Sequence, residues 1–287
     1  MPAAPHTDDP RTLVSVEWVH DRISDPKLVL LDASWHMPAA ERDPHAEYRN
    51  GHILGARFFD IDAISDTSSP LPHMLPTSEA FAASVSALGI SNADQIVIYD
   101  TVGIFSAARA WWMFRAMGHD KVAVMDGGLP AWVASGGATT DAEEEFARAA
   151  YGARLSPSSV TSLAAMQAAS ADASHIILDA RTAGRFDGSQ PEPRPGLPSG
   201  HMPNATSLPF SSVVTSEGFL NAPSDLENLF AGLGVGEEKN IITTCGSGVT
   251  AAILTLALAR IGVEETSLYD GSWTEWGSTD GCPIETG

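Results

Sequence analysis

Ile241 Ile242 Thr243 Thr244 Cys245 Gly246 Ser247 Gly248 Val249 Thr250 is the stretch that decides the fold. An apolar, β-branched run ends at a cysteine and two glycines follow at once. Residues 251–260 then read as a helix with almost no polar interruption. The pattern is strand, tight loop, helix. Gly246 and Gly248 let the backbone bend and turn its N–H groups toward the centre of the loop. There they join the positive end of the helix to form a nest for an anion. A thiol in that nest is expected to ionise more readily, because the thiolate is itself an anion. Most free cysteines are small buried hydrophobes, but the loop and helix behind Cys245 favour a nucleophile. An enzyme that grips phosphate in such a cradle needs an arginine six positions after the cysteine. Here that position is Ala251, so the loop suits a smaller group.

Outward from this stretch the chain repeats itself. Ile176 Ile177 Leu178 Asp179 Ala180 Arg181 answers Val29 Leu30 Leu31 Asp32 Ala33 Ser34, and Gly200 His201 Met202 Pro203 Asn204 Ala205 answers Gly51 His52 Ile53 Leu54 Gly55 Ala56. The run ending at Cys245 answers Ile96 to Asp100, Ile261 Gly262 answers Met117 Gly118, and Tyr269 Asp270 Gly271 to Trp276 answers Met125 Asp126 Gly127 to Trp132. Matches in one order mark an internal duplication. The fold expected is α/β, with residues 1–140 and 160–287 as two copies of one domain and the acidic, Ala-rich stretch 141–159 as linker. Each copy should be a mainly parallel sheet covered by helices on both faces, because its strands are continuous apolar runs. Helices are expected near 80–88, closed by Gly89, and near 104–117, closed by Gly118. In such sheets a ligand binds beyond the carboxyl ends of the strands, where Cys245 falls. The first copy has Asp100 at the cysteine position and is expected to be inactive in its own right.

At 287 residues the chain has room for two domains of ordinary size, and its 44% hydrophobic and 18% charged content is that of a globular protein. A formal charge of -20 argues against nucleic acid and anionic membrane surfaces as partners, because both would repel the chain. Residues 1–12 lack the apolar core of a signal peptide, and the longest apolar stretch, 251–263, is broken by Thr255 and Arg260 and is too short to span a bilayer. With two cysteines and no secretion signal, the expectation is a cytoplasmic protein with free thiols, Cys282 being structural or incidental. No set of His, Cys and carboxylates has metal-ligand spacing, so neither metal nor cofactor is expected.

These residues resemble the rhodanese family of sulfurtransferases in its tandem, two-domain form. The resemblance covers nearly the whole chain and is carried by Tyr48 Arg49 Asn50 Gly51 His52 Ile53, by Cys245 Gly246 Ser247 Gly248 Val249 Thr250, and by Tyr269 Asp270 Gly271 Ser272 Trp273 Thr274 Glu275 Trp276. Two positions depart from the family pattern: Leu54 replaces a proline, and Asn204 replaces a glycine whose left-handed backbone asparagine tolerates. Members that use thiosulfate usually carry basic residues directly after the cysteine. Gly246 and Ser247 instead resemble the 3-mercaptopyruvate branch, as does the segment from Gly184 to Gly196.

The resemblance implies a sulfur transfer through a Cys245 persulfide, with Gly246, Gly248, Val249 and Thr250 cradling the reacting group. Arg185 and Arg194 match the branch's substrate-binding arginines. Paired guanidinium hydrogen bonds suit the carboxylate and carbonyl of a 2-oxo acid, although arginines in a Pro-rich loop are ordinarily just solvated. Asp62 and His73 match positions thought to form, with Ser247, a relay of the serine-protease type, although a lone loop histidine is more often a hydrogen-bonded surface group. His52 and His201 follow turn glycines and are expected to hold backbone. The partners implied are a small 2-oxo acid thiol as donor and a thiol acceptor, such as thioredoxin or a small thiol. Thiosulfate:cyanide transfer and a non-enzymatic sulfur-carrier or binding module are the alternatives.

Overall fold

In this computed structural model residues 8–236 and 240–287 are described. Most of the 1–12 segment read above for a leader, residues 1–7, lies outside them. The chain forms two compact units. The first takes the chain up to Thr67, Pro76–Leu155 and Ser216–Leu220; the second takes Ser68–Leu75, Ser156–Thr215 and Asn221–Gly287.

The first unit is built on a sheet of five strands in the order Leu13–Val14, Val122–Met125, Gln95–Tyr99, Leu28–Asp32, Arg57–Phe58. Every pairing is parallel. One face buries Leu30, Val97, Tyr99, Ala123 and Met125 against Val16 and Val19 of helix Val16–His20 and Trp132 of helix Gly128–Ala134. Residues of the other parity, among them Ile96, Ile98, Val122 and Val124, are buried on the opposite face. There helix Ala107–Ala116 packs on Gln95–Tyr99 and Val122–Met125. Burial on both faces is why these strands carry unbroken apolar runs.

The second unit repeats this plan strand for strand. Its order, Val160–Thr161, Thr266–Tyr269, Asn240–Thr244, His175–Asp179, Ala205–Ser207, is again parallel throughout. The likeness extends to small features: His52–Ile53 pairs antiparallel with Thr139–Thr140, and His201 forms a bridge with Glu285. Asn204 takes φ +60° where Gly55 takes +76°, so the departure from glycine leaves the turn intact.

The helix borders differ from the expected ones for local reasons. Thr77 accepts the Ala80 N–H and starts its helix at Ser78, ending it at Ala87. The helix expected from 104 begins at Ala107, because the Asp100 carboxylate takes the N–H groups of Phe105 and Ala107. Much of the stretch read as linker is laid along the first unit. Gly152 exchanges two hydrogen bonds with Asn92, both 2.8 Å, the Arg154 N–H reaches Met117 O at 3.0 Å, and Tyr151 stacks on His119.

Asp32 is wholly buried at the end of its strand, where its Oδ1 accepts the Ser34 N–H at 2.9 Å. Burial pushes its pKa up to about 6 from 3.8; hydrogen bonds from Ser34 oppose that rise and the charge of Asp100 adds to it. The folded state thus holds this proton more tightly than the unfolded chain, and Asp32 weakens the fold increasingly from about pH 4 to pH 6 and fully above it. Asp32→Asn keeps an acceptor for Ser34 and removes the charge. It is expected to raise stability at pH 8 by up to about 3 kcal/mol and by much less at pH 4. Urea unfolding at the two pH values checks this; an equal change at both would refute the charge as the cause.

Candidate active site

Cys245 follows the carboxyl end of Asn240–Thr244 and is 2% exposed. The loop's carbonyls are turned inward. Cys245 O accepts the Trp273 N–H at 2.9 Å, and Gly246 O accepts both the N–H and the hydroxyl of Thr274, at 3.0 and 2.7 Å. The Cys245 N–H points to Ser272 Oγ at 3.4 Å. The Gly-Ser-Trp-Thr signature therefore holds the loop from behind. Gly248 supplies the bend with φ +80°. Val249 is buried, and Thr250 caps helix Ala251–Arg260. Among the described residues, no protein acceptor takes the backbone N–H groups of 246–250.

The first unit shows what such a loop holds. Asp100, at the position equivalent to Cys245, accepts four backbone N–H groups at 2.9 Å: Val102 and Gly103 on one oxygen, Phe105 and Ala107 on the other. Burial pushes the Asp100 pKa up while these four bonds pull it down. The first copy is an anion nest filled by its own side chain. The second has a thiol in that place.

Two guanidinium groups close on Gly246. A methyl group on that glycine would lie 2.9 Å from Arg185 Nη2 and 3.8 Å from Arg194 Nη1. Gly246 is thus small because cations pack against it. Arg185 leaves helix Ala183–Asp187 and donates to both oxygens of Glu192, from Nε at 3.1 Å and Nη2 at 2.6 Å. Glu192 also accepts from Arg181 Nη1 at 2.9 Å. Arg181 is fully buried, pairs with Asp179 at 2.7 Å, donates to Gly200 O, and lies over the Trp273 ring. Burial works against its charge, but Asp179 and Glu192 outweigh burial and raise its pKa.

Ser247 is met by His73, which belongs to the second unit through the segment Ser68–Leu75. His73 Nδ1 lies 3.1 Å from Ser247 Oγ and 3.4 Å from Ser247 O. Its φ of +59° is left-handed, uncommon for a histidine. Asp270 fixes the same segment by accepting the Leu75 N–H at 2.6 Å. The first unit has the counterpart: Asp126 accepts the Leu220 N–H at 2.9 Å. Asp62 lies in helix Ile61–Ile64 of the first unit, where its Oδ2 accepts the Trp35 indole N–H at 3.1 Å.

The structure thus brings Cys245, Ser247, His73, Arg185 and Arg194 around one loop of the second unit. Sequence reasoning singled out neither Glu192 nor Asp270. For Glu192 the available signal was a lone acid between two prolines, Pro191 Glu192 Pro193, just before Arg194. His52 and His201 each donate from Nδ1 to a backbone carbonyl, of Tyr48 and Phe186, and stack on those rings. Cys282 accepts from Gln167 Nε2 at 3.3 Å and packs against the core. A cavity of about 470 Å³ opens at the amino-terminal ends of the second sheet's strands, lined by His175, Asn240 and Thr266, and contains none of these residues. Cys245 lies at the other end, where this architecture places chemistry. Among the described residues, no three His, Cys or carboxylate groups converge to hold a metal ion. No described helix is long and apolar enough to cross a membrane.

The sequence profile of the rhodanese-like domain matches twice, over residues 15–135 and 159–279. The 3-mercaptopyruvate sulfurtransferase of Escherichia coli strain K12 is 42% identical over 273 residues, 95% of this chain and 97% of that one. The mitochondrial thiosulfate/3-mercaptopyruvate sulfurtransferase 1 of Arabidopsis thaliana is 44% identical over 295 residues, 96% of this chain and 78% of its own. The crystal structure of SseA from Escherichia coli, reported with the rhodanese fold and catalytic mechanism of 3-mercaptopyruvate sulfotransferases, superposes with a TM-score of 0.83. It is 40% identical, and the match covers 91% of this chain and 98% of that one.

Proposed function

Since the chain belongs to the rhodanese family, we infer that it acts as a 3-mercaptopyruvate sulfurtransferase whose sulfur passes through Cys245. The observation that supports this reading best is the placement of two guanidinium groups against Gly246, beside a cysteine in an anion nest. Arg185 and Arg194 grip the donor's carboxylate and carbonyl. The Cys245 thiolate attacks the donor sulfur, the carbon–sulfur bond breaks, and its electron pair passes to carbon as pyruvate enolate. Protonation of that carbon gives pyruvate. The enzyme retains Cys245–S–SH, whose outer sulfur, when deprotonated, is held by the loop N–H groups as an oxyanion hole holds oxygen. A thiolate acceptor then takes that sulfur and returns Cys245 as thiolate. Thioredoxin or a small thiol fits this step, and a reducing, cytoplasmic setting suits Cys245 and Cys282, which are both free thiols.

In this reading Ser247 passes a proton to the departing fragment, and its hydrogen bond with His73 supports that role. The first unit, with Asp100 in its nest, transfers no sulfur.

Steady-state kinetics with both donors and cyanide as acceptor test the reading. The wild type is expected to favour 3-mercaptopyruvate over thiosulfate in kcat/KM by about a hundredfold or more. His73→Asn is expected to lower kcat for 3-mercaptopyruvate about tenfold or more with little change in KM. A preference for thiosulfate would move the assignment to that donor, turnover of neither would leave a binding module, and an unaltered kcat would remove His73 from the chemistry.

A further inference from the structure

We propose that Glu192 determines which donor the site prefers, by holding the positive charge beside Cys245 at a level suited to a singly charged 2-oxo acid and not to a doubly charged inorganic sulfur donor. The proposal rests on the functional reading above and adds a specificity residue that does not touch the reacting atoms.

The geometry is that of a buried chain of alternating charges. Asp179 already binds Arg181 through both oxygens, so the charge of Arg181 is matched before Glu192 is reached. Glu192 adds one bond to Arg181 and two to Arg185. Its carboxylate is 2% exposed, and so is little screened by water or salt. Its negative charge therefore falls chiefly on Arg185, the guanidinium that faces Gly246. Glu192 also takes the Nε–Nη2 edge of Arg185, and Nη2 is the atom of that guanidinium nearest Gly246, so the bond to Glu192 reaches the very group that faces the loop.

Removing the Glu192 charge raises the positive charge beside the loop by one, whatever else surrounds Arg194. Coulomb interaction is linear in the ligand's charge, so a dianion gains about twice what a monoanion gains. Lost positioning of Arg185 weakens both donors. The ratio of their rate constants consequently separates charge from positioning, which neither rate constant does alone.

The experiment compares wild type, Glu192→Gln and Glu192→Asp by kcat/KM for 3-mercaptopyruvate and for thiosulfate, with cyanide as common acceptor. Glu192→Gln is expected to shift the ratio toward thiosulfate by about tenfold or more. Glu192→Asp, which keeps the charge on a shorter arm, is expected to stay within about threefold of wild type even where both rates fall. A ratio unchanged in Glu192→Gln, or shifted as far in Glu192→Asp, would overturn the proposal. Calorimetric affinities for thiosulfate and pyruvate, taken in the Cys245→Ser background, give a readout without sulfur transfer. Should the wild type transfer no sulfur from 3-mercaptopyruvate, the functional reading fails, and the affinity ratio still decides the charge claim: the same shift upholds it and no shift overturns it.

Discussion

Cys245→Ser is expected to reduce pyruvate release from 3-mercaptopyruvate by at least about 10⁴-fold, leaving the fold unchanged. Serine is close in size to the cysteine it replaces, in a site 2% exposed, and the strand and helix on either side do not depend on the sulfur. What is lost is a sulfur nucleophile, far stronger as thiolate than a hydroxyl, whose sulfur product is an anion of the kind the nest accommodates. The first unit supplies the control within the same molecule. There the same kind of loop surrounds the Asp100 carboxylate with four N–H donors and has no thiol, so any turnover left in the variant measures what the molecule does without its nest cysteine. A melting temperature within a few degrees of wild type shows that the variant is folded. Residual pyruvate release near one per cent of wild type, with the fold intact, would mean that another group carries the sulfur.

Arg185→Ala is expected to lower kcat/KM for 3-mercaptopyruvate by about 10²- to 10³-fold, mostly through KM. The guanidinium lies against Gly246, next to the cysteine in the chain, and is held there by two bonds to Glu192, so little rotamer freedom remains to be lost when a carboxylate binds. Arg185→Lys is expected to recover only part of the loss, because a single ammonium cannot bond Glu192 and a substrate carboxylate in the same planar fork. Truncation leaves the buried Glu192 held by Arg181 alone, and a stability loss of about 1 to 3 kcal/mol should accompany it. Donor titrations of initial rate, set beside urea unfolding, separate the two effects. An unchanged KM would place Arg185 outside the donor site.

The strand, loop and helix around Cys245 were legible because each is local: a β-branched run, two glycines and an unbroken apolar helix need no tertiary information. The duplication was legible for the same reason, and it extends to strand order and to the left-handed turn at Gly55 and Asn204. What the sequence hid depends on convergence. Asp100 could be read as the absence of a cysteine, but not as a carboxylate gathering four N–H groups and delaying a helix to Ala107. His73 lies far from Ser247 in the chain, and nothing local shows that the segment Ser68–Leu75 joins the second unit. Glu192 reads as a surface acid in a Pro-rich loop until Arg181 and Arg185 are seen to close over it. Buried charge is set by partners distant in sequence, and periodicity carries no record of them.

The central claim, that sulfur rests on Cys245 between donor and acceptor, is tested most directly by mass spectrometry of the intact protein and of its Cys245 peptide. Spectra are taken before and after addition of 3-mercaptopyruvate without acceptor, with pyruvate measured in the same sample. The account predicts a gain of one sulfur atom on that peptide, one pyruvate released per sulfur gained, and loss of the added mass when a thiol is supplied. Pyruvate release with no added mass on Cys245, or added sulfur on the Cys282 peptide in its place, would contradict it.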